Sequence, residues 1–210
     1  MSQREFLPAA GRDVFLPLYD PLVGLMGFDS ARRELISCAN IKPAQRVLDI
    51  GCGTGTLAVK LKRQHETVQV VGLDPDRKAL RRARLKATGV SVQFDQGFAD
   101  ELPYERESFD RVLSSFMFHH LNELERENML VEVLRVSKPG CLFHFVDFII
   151  DDASPGFFDR LFRSHAQMKA NSEERILGLM GHIGFTNPVK VKEGNMLFGL
   201  LRTAYYQASA

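Results

Sequence analysis

The run RVLDIGCGTGTLAVK, Arg46 to Lys60, constrains this chain more than any other stretch. Apolar residues flank a single acid, Asp49. Gly51, Gly53 and Gly55 follow within five positions, and an apolar periodicity resumes at once with Leu57, Ala58 and Leu61. This order of residues predicts a short buried strand, a bare turn and a helix. The glycines let the chain turn sharply and bring backbone against a ligand that a Cβ would hold off. The helix that follows aims its first amides at the same spot. A tight strand–helix turn without a ligand is the competing reading.

The rest of the chain repeats the theme. VQVVGLD is a second near-continuous apolar run, as a parallel strand buried on both faces requires. Pro75 suits the first turn of the next helix, with Leu80, Ala83 and Ala87 as its inner stripe and Gly89 as its stop. VSVQF and SFDRVLSSF read as the third and fourth strands. Asn122 with Glu125 forms a capping box for a helix carrying Leu124, Leu130, Val131 and Leu134. The KPG at Lys138–Gly140 turns into a fifth strand, CLFHFVDF. Further on, Phe157–Met168 reads as helical, and Asn171 and Glu174 suit the start of a helix that Gly184 stops. Strands near PVKVK and NMLFGLLRTA, joined at Glu193-Gly194, are too close for a crossover, so the last one should run antiparallel. The expected architecture is a three-layer, open, Rossmann-like α/β sheet, mostly parallel, with its ligand beyond the carboxyl ends of the strands.

Length and composition narrow the function. At 210 residues the chain suits one domain. Its 27 basic and 26 acidic residues nearly cancel, which removes a global electrostatic case for nucleic acid. The basic helix DRKALRRARLK is then a solvated face. No apolar run approaches the ~20 residues that span a bilayer, and the first residues do not resemble a signal peptide. Three scattered cysteines suit a reducing compartment and fit no metal spacing, so a cytoplasmic, metal-free protein is expected. Cys52, inside the loop, reads as a small loop residue.

The ligand class follows from the loop. The dinucleotide fingerprint G-x-G-x-x-G fails here, because the spacing is G-x-G-x-G. Asp49 puts a carboxylate beside the turn, a poor neighbour for pyrophosphate and a good one for an ammonium or sulfonium. Asp74, ending the second strand, is placed to accept from both ribose hydroxyls. With no basic residue in the loop, a nucleoside without phosphates is the expected ligand.

VLDIGCGTG, VGLDPD, LPYERESFDRVLSS, FMFHHL and LRVSKPG, in this order, resemble the class I S-adenosylmethionine-dependent methyltransferases. The branch most resembled contains the ubiquinone and menaquinone C-methyltransferases and related small-molecule enzymes. The resemblance covers roughly Ala44 to Asp147 and implies a division into an N-terminal helical lid (1–43, with FLPLYDPLV), a cofactor core (44–150) and acceptor-side helices with a terminal hairpin (151–210). It implies that Asp49 and the Gly51, Gly53 and Gly55 loop hold the methionine end of S-adenosyl-L-methionine, with Thr54 near its carboxylate. Asp74 would bind the ribose and Pro75 begin the next helix. Where relatives have Gly-Asp-Ala, this chain has Gly97-Phe98-Ala99, so the Phe98 ring and the Ala99 amide would meet adenine, with Asp100 a substitute acid. Ser114 and Ser115 would contact the amino-acid moiety.

Methyl transfer from a sulfonium needs chiefly an aligned nucleophile in a dry site, sometimes with a base. His119, His120 and the lid's Tyr19 are the candidate catalytic residues. Packing roles account for each of them equally well. Phe145, Phe148, Phe157, Phe158 and Phe162 suit either core or a small hydrophobic or aromatic acceptor. The reading is a methyltransferase acting on such an acceptor and releasing S-adenosyl-L-homocysteine. The alternatives are a catalytically silent S-adenosylmethionine-binding partner subunit and a dinucleotide-dependent oxidoreductase.

Overall fold

Strands that are apolar on both faces have to be covered on both sides. In the computed structural model, which describes residues 27–149, 172–197 and 201–210, they are. Strands β1 (Arg46–Ile50), β2 (Gln69–Asp74), β3 (Val92–Gln96), β4 (Phe109–Ser115), β5 (Ser137–Ile149), β6 (Thr186–Met196) and β7 (Leu201–Ser209) form one sheet in the order β3-β2-β1-β4-β5-β7-β6. Only β7 is antiparallel, lying between β5 and β6. The order reverses between β1 and β4, which opens a crevice beyond their carboxyl ends.

Alternation along the strands sorts the helices into layers. Val47, Leu113 and Val146 join residues of α1 (Phe28–Cys38), α2 (Thr56–Gln64) and α3 (Arg77–Lys86) in one core. Leu48, Val112 and Phe145 join residues of α4 (Glu123–Val136) and α5 (Glu173–Ile183) in the other. The result is the three-layer, Rossmann-like arrangement expected from the strand–helix alternation.

Several local expectations shift. Pro75 does not enter a helix: Asp76 caps α3, its side chain accepting from Lys78 N, and Pro75 precedes that cap. The capping box at Asn122 and Glu125 is present, but Leu124 and Val131 are 65% and 51% exposed. Met129, Leu130, Val133 and Val136 form the inner stripe instead. The third strand lies two residues later than VSVQF. KPG falls within β5, at an irregularity in its pairing with β4. Ser172 stands at the start of α5 with no side-chain capping bond, and Gly184, with φ 117°, ends the helix as expected. Glu193 and Gly194 are not the hairpin turn. They pair with Ala204 and Thr203, so the strand runs on to Met196. The helix expected over 157–168 and the lid before residue 27, Tyr19 included, lie outside the described residues. No described helix is long and apolar enough to cross a membrane.

Candidate functional site

The loop after β1 folds back over its neighbour. The backbone amides of Gly51 and Cys52 both donate to the Leu73 carbonyl at the end of β2, at 2.8 and 3.0 Å. The glycines then serve different ends. At Gly53, with φ 53°, a Cβ would meet nothing within 4 Å, so this backbone is bare toward open space. At Gly55, with φ 75°, a Cβ would stand 2.8 Å from both the Ala83 Cβ and the Phe94 ring. Gly55 is a packing glycine that lets α2 settle against α3 and β3. Gly51 has the Met117 side chain where its Cβ would point.

Two carboxylates flank this loop, Asp49 buried and Asp74 half-buried. Asp74 Oδ2 accepts from Gly53 N at 2.8 Å and Oδ1 from Asp76 N at 2.9 Å, so the side chain shapes the turn it was expected to sit beside. Burial outweighs these bonds and pushes its pKa up to about 6. Asp49 is 1% exposed, and among the described residues neither of its oxygens has a hydrogen-bond partner. Burial pushes it up to about 7. The Arg32 guanidinium opposes the shift and the Asp74 charge adds to it. An orphaned acid in such a place costs stability until something cationic joins it. The Cys52 thiol, buried beside both carboxylates, is driven well above its ordinary range, as suits a packing residue and not a nucleophile.

A cavity of about 350 Å³ opens over the loop and the β1/β4 crevice. Gly51, Gly53, Thr54, Asp74, Pro75, Phe98, Ala99, Ser115 and His120 line it, with Asp100. Asp49, Gly55, Ser114 and His119 do not. Asp49 lies within the sheet beside the loop, and Gly55 faces helix. Ser114 is buried and donates its hydroxyl to the Ile50 carbonyl at 3.0 Å, tying β4 to β1. His119 is held by Asp147 through its backbone N–H and Nδ1, at 2.8 and 2.7 Å. Among the described residues no group of three or more His, Cys, Asp or Glu is gathered to hold a metal.

Sequence reasoning missed several participants. Arg32 of α1 lines the cavity, as do Phe28, Phe116 and Met117. Lys86, assigned to a solvated face, donates to the Thr54 and Thr56 hydroxyls at 2.9 and 2.6 Å, so α3 brings a cation to a loop that has none of its own. Nothing local marks these residues, because each reaches the site from another element.

Residues 47–140 match the family described as a methyltransferase domain. Over 156 residues the chain is 34% identical to the demethylmenaquinone methyltransferase of Deinococcus radiodurans, covering 72% of this chain and 63% of that one. It is 36% identical over 130 residues to a ubiquinone/menaquinone biosynthesis C-methyltransferase of Erwinia tasmaniensis, covering 58% and 51%. The chain thus spans between about half and less than two thirds of these relatives' length. Among solved structures, the phosphoethanolamine N-methyltransferase 2 of Haemonchus contortus, in complex with S-adenosyl-L-methionine, superposes with a TM-score of 0.81. The match has 19% identity and covers all of this chain and 60% of that one. The strand order, the crevice at its reversal and the family match agree, and residues 47–140 of the chain form a methyltransferase domain of the class I, S-adenosylmethionine-dependent kind.

Proposed function

We propose that this protein transfers a methyl group from S-adenosylmethionine to a small hydrophobic or aromatic acceptor. The observation that carries the reading is the Asp49 carboxylate, buried without a hydrogen-bond partner among the described residues at the end of β1, just before the loop whose Gly53 backbone is bare. An ammonium-bearing ligand across the loop would relieve it, whereas a pyrophosphate there would aggravate it. The cofactor, when bound, supplies a methyl group already activated on a sulfonium.

The chain's own residues then divide the work. Arg32 from the cavity wall and Asp49 from behind the loop set opposite charges around the zwitterionic end of an amino acid, with Thr54 and its Lys86 partner on the carboxylate side. Asp74 keeps lone pairs to accept from ribose hydroxyls while holding Gly53 and Asp76. Phe98 and Ala99 offer a ring and a backbone amide to adenine. Ser115 serves the crevice, because the Ser114 hydroxyl is engaged with Ile50. The acceptor end is aromatic: Phe28 and Phe116 line the cavity with ring centroids 4.7 Å apart, and Phe148 lies 5.0 Å from Phe116. Such walls exclude water and hold a flat apolar molecule in line with the methyl group, the main demand of a displacement.

Calorimetry with S-adenosylhomocysteine is expected to show saturable binding that Asp74→Ala weakens by about 1–3 kcal/mol, the usual loss for hydrogen bonds to a charged group. Phe98→Ala is expected to weaken it as well. No binding by wild type, or tight binding of a nicotinamide dinucleotide in its place, would refute the reading. Labelled cofactor offered with a panel of naphthols and hydroquinones tests transfer. Binding without transfer to any acceptor, together with a stable complex with a second protein, would favour a silent partner subunit.

A further inference from the structure

Asp147 lies at the carboxyl end of β5, 1% exposed, and its carboxylate is fully engaged. Oδ2 accepts from the His119 backbone N–H at 2.8 Å. Oδ1 accepts from the Phe148 backbone N–H at 2.8 Å and lies 2.7 Å from His119 Nδ1. Burial would raise the Asp147 pKa, but the His119 ring and the backbone amides overcome it and hold the group below its ordinary value. An ionised carboxylate only accepts, so Nδ1 has to carry a proton, and in the neutral ring Nε2 is left with the lone pair.

The ring's surroundings give that lone pair a use. Among the described residues no hydrogen bond engages Nε2. The His119 ring lies 4.0 Å from the His120 ring and 5.2 Å from that of Phe148, between centroids. His120 lines the cavity, and Phe148 packs on Phe116, which also lines it. A buried charge thus holds in place an imidazole that is 13% exposed and packs on His120 and Phe148, beside the cavity and not in its wall.

We propose that Asp147 is a positioning residue that fixes His119 as its Nδ1–H tautomer, so that Nε2 takes the proton of a hydroxyl or acidic C–H acceptor. This rests on the methyltransferase reading above. In the step, the acceptor's bond to hydrogen breaks and its electron pair stays behind to form the new bond to the methyl carbon, while the methyl–sulfur bond breaks and its pair leaves on the sulfur as a neutral thioether. The proton becomes Nε2–H, and the imidazolium is stabilised by Asp147 until solvent takes that proton.

The tautomer can be read without knowing the acceptor. Nitrogen NMR of isotopically labelled histidine is expected to show His119 protonated on Nδ1 and unprotonated on Nε2, with and without S-adenosylhomocysteine. Asp147→Asn should move the proton to Nε2 or average the two forms, because an amide offers one acceptor atom where three donors converge. His119→Gln keeps the backbone N–H to Asp147. It should bind S-adenosylhomocysteine within twofold of wild type while losing about 100-fold or more in turnover of the naphthol or hydroquinone that carries label. An Nε2–H tautomer in wild type overturns the proposal, as does undiminished turnover in His119→Gln. Failure of wild type to bind S-adenosylhomocysteine would instead strike the cofactor reading, with the tautomer still deciding the role of Asp147.

Discussion

Gly55→Ala is expected to lower the free energy of unfolding by about 2–5 kcal/mol, combining the ~1–2 kcal/mol of a left-handed non-glycine residue with ~1–3 kcal/mol of overpacking. Gly53→Ala, two residues away, is expected to cost only about 1–2 kcal/mol, since backbone strain is its sole penalty. The contrast follows from what each new methyl group meets. At Gly55 it would meet Ala83 and Phe94 at 2.8 Å, and neither is the loose end of a flexible side chain. At Gly53 it would enter open space, and that space is the proposed cofactor site. The two variants should therefore trade effects. Urea denaturation should single out Gly55→Ala, while S-adenosylhomocysteine affinity should fall most, relative to the stability lost, in Gly53→Ala. Equal denaturation midpoints for the two would mean that α2 and α3 do not approach as closely as described.

The second large effect is a pH dependence that originates in Asp49. Its folded pKa is raised from 3.8 to about 7 by burial, so the folded form holds this proton where the unfolded chain has released it. Stability from Asp49 is greatest below the unfolded value and is lost as pH rises through about 7. Asp74, raised to about 6, acts in the same direction, whereas His144, buried and lowered to about 4, acts in the opposite one. The difference between wild type and Asp49→Asn isolates the one group. That difference should shift against wild type by on the order of 2–4 kcal/mol between acid and mildly alkaline pH. S-adenosylhomocysteine should reverse the trend, binding wild type better than Asp49→Asn once Asp49 is ionised. A difference that stays constant across this range would mean that the carboxylate is solvated or paired.

Both predictions concern residues found from the sequence but understood only from the fold. The strand–loop–helix, the order of acids and glycines, the capping box at Asn122 and the antiparallel last strand were all legible. Each depends on neighbours within a few positions or on a run of apolar side chains. Element ends were less so. The hairpin extends past Glu193-Gly194 because cross-strand pairing with Thr203 and Ala204 overrides the turn preference of that dipeptide. Leu124 and Val131 are apolar yet exposed, since the inward stripe of α4 is set by where the sheet lies.

From residue order alone came the expected ligand class and the loop expected to meet it: an acid two residues before the first glycine and the G-x-G-x-G spacing both weigh against a pyrophosphate without any coordinates. Tertiary structure alone decided which glycine faces the cavity and which faces a helix. It also decided that Asp49 has no hydrogen-bond partner among the described residues, that Lys86 reaches Thr54, and that Asp147 holds His119. The physical reason is range. Backbone conformation and helix caps are set by contacts a few residues long, whereas the charge state and orientation of a buried side chain depend on what parallel strands and crossing helices bring beside it. Such meetings join residues 28 and 32 positions apart and leave no local trace.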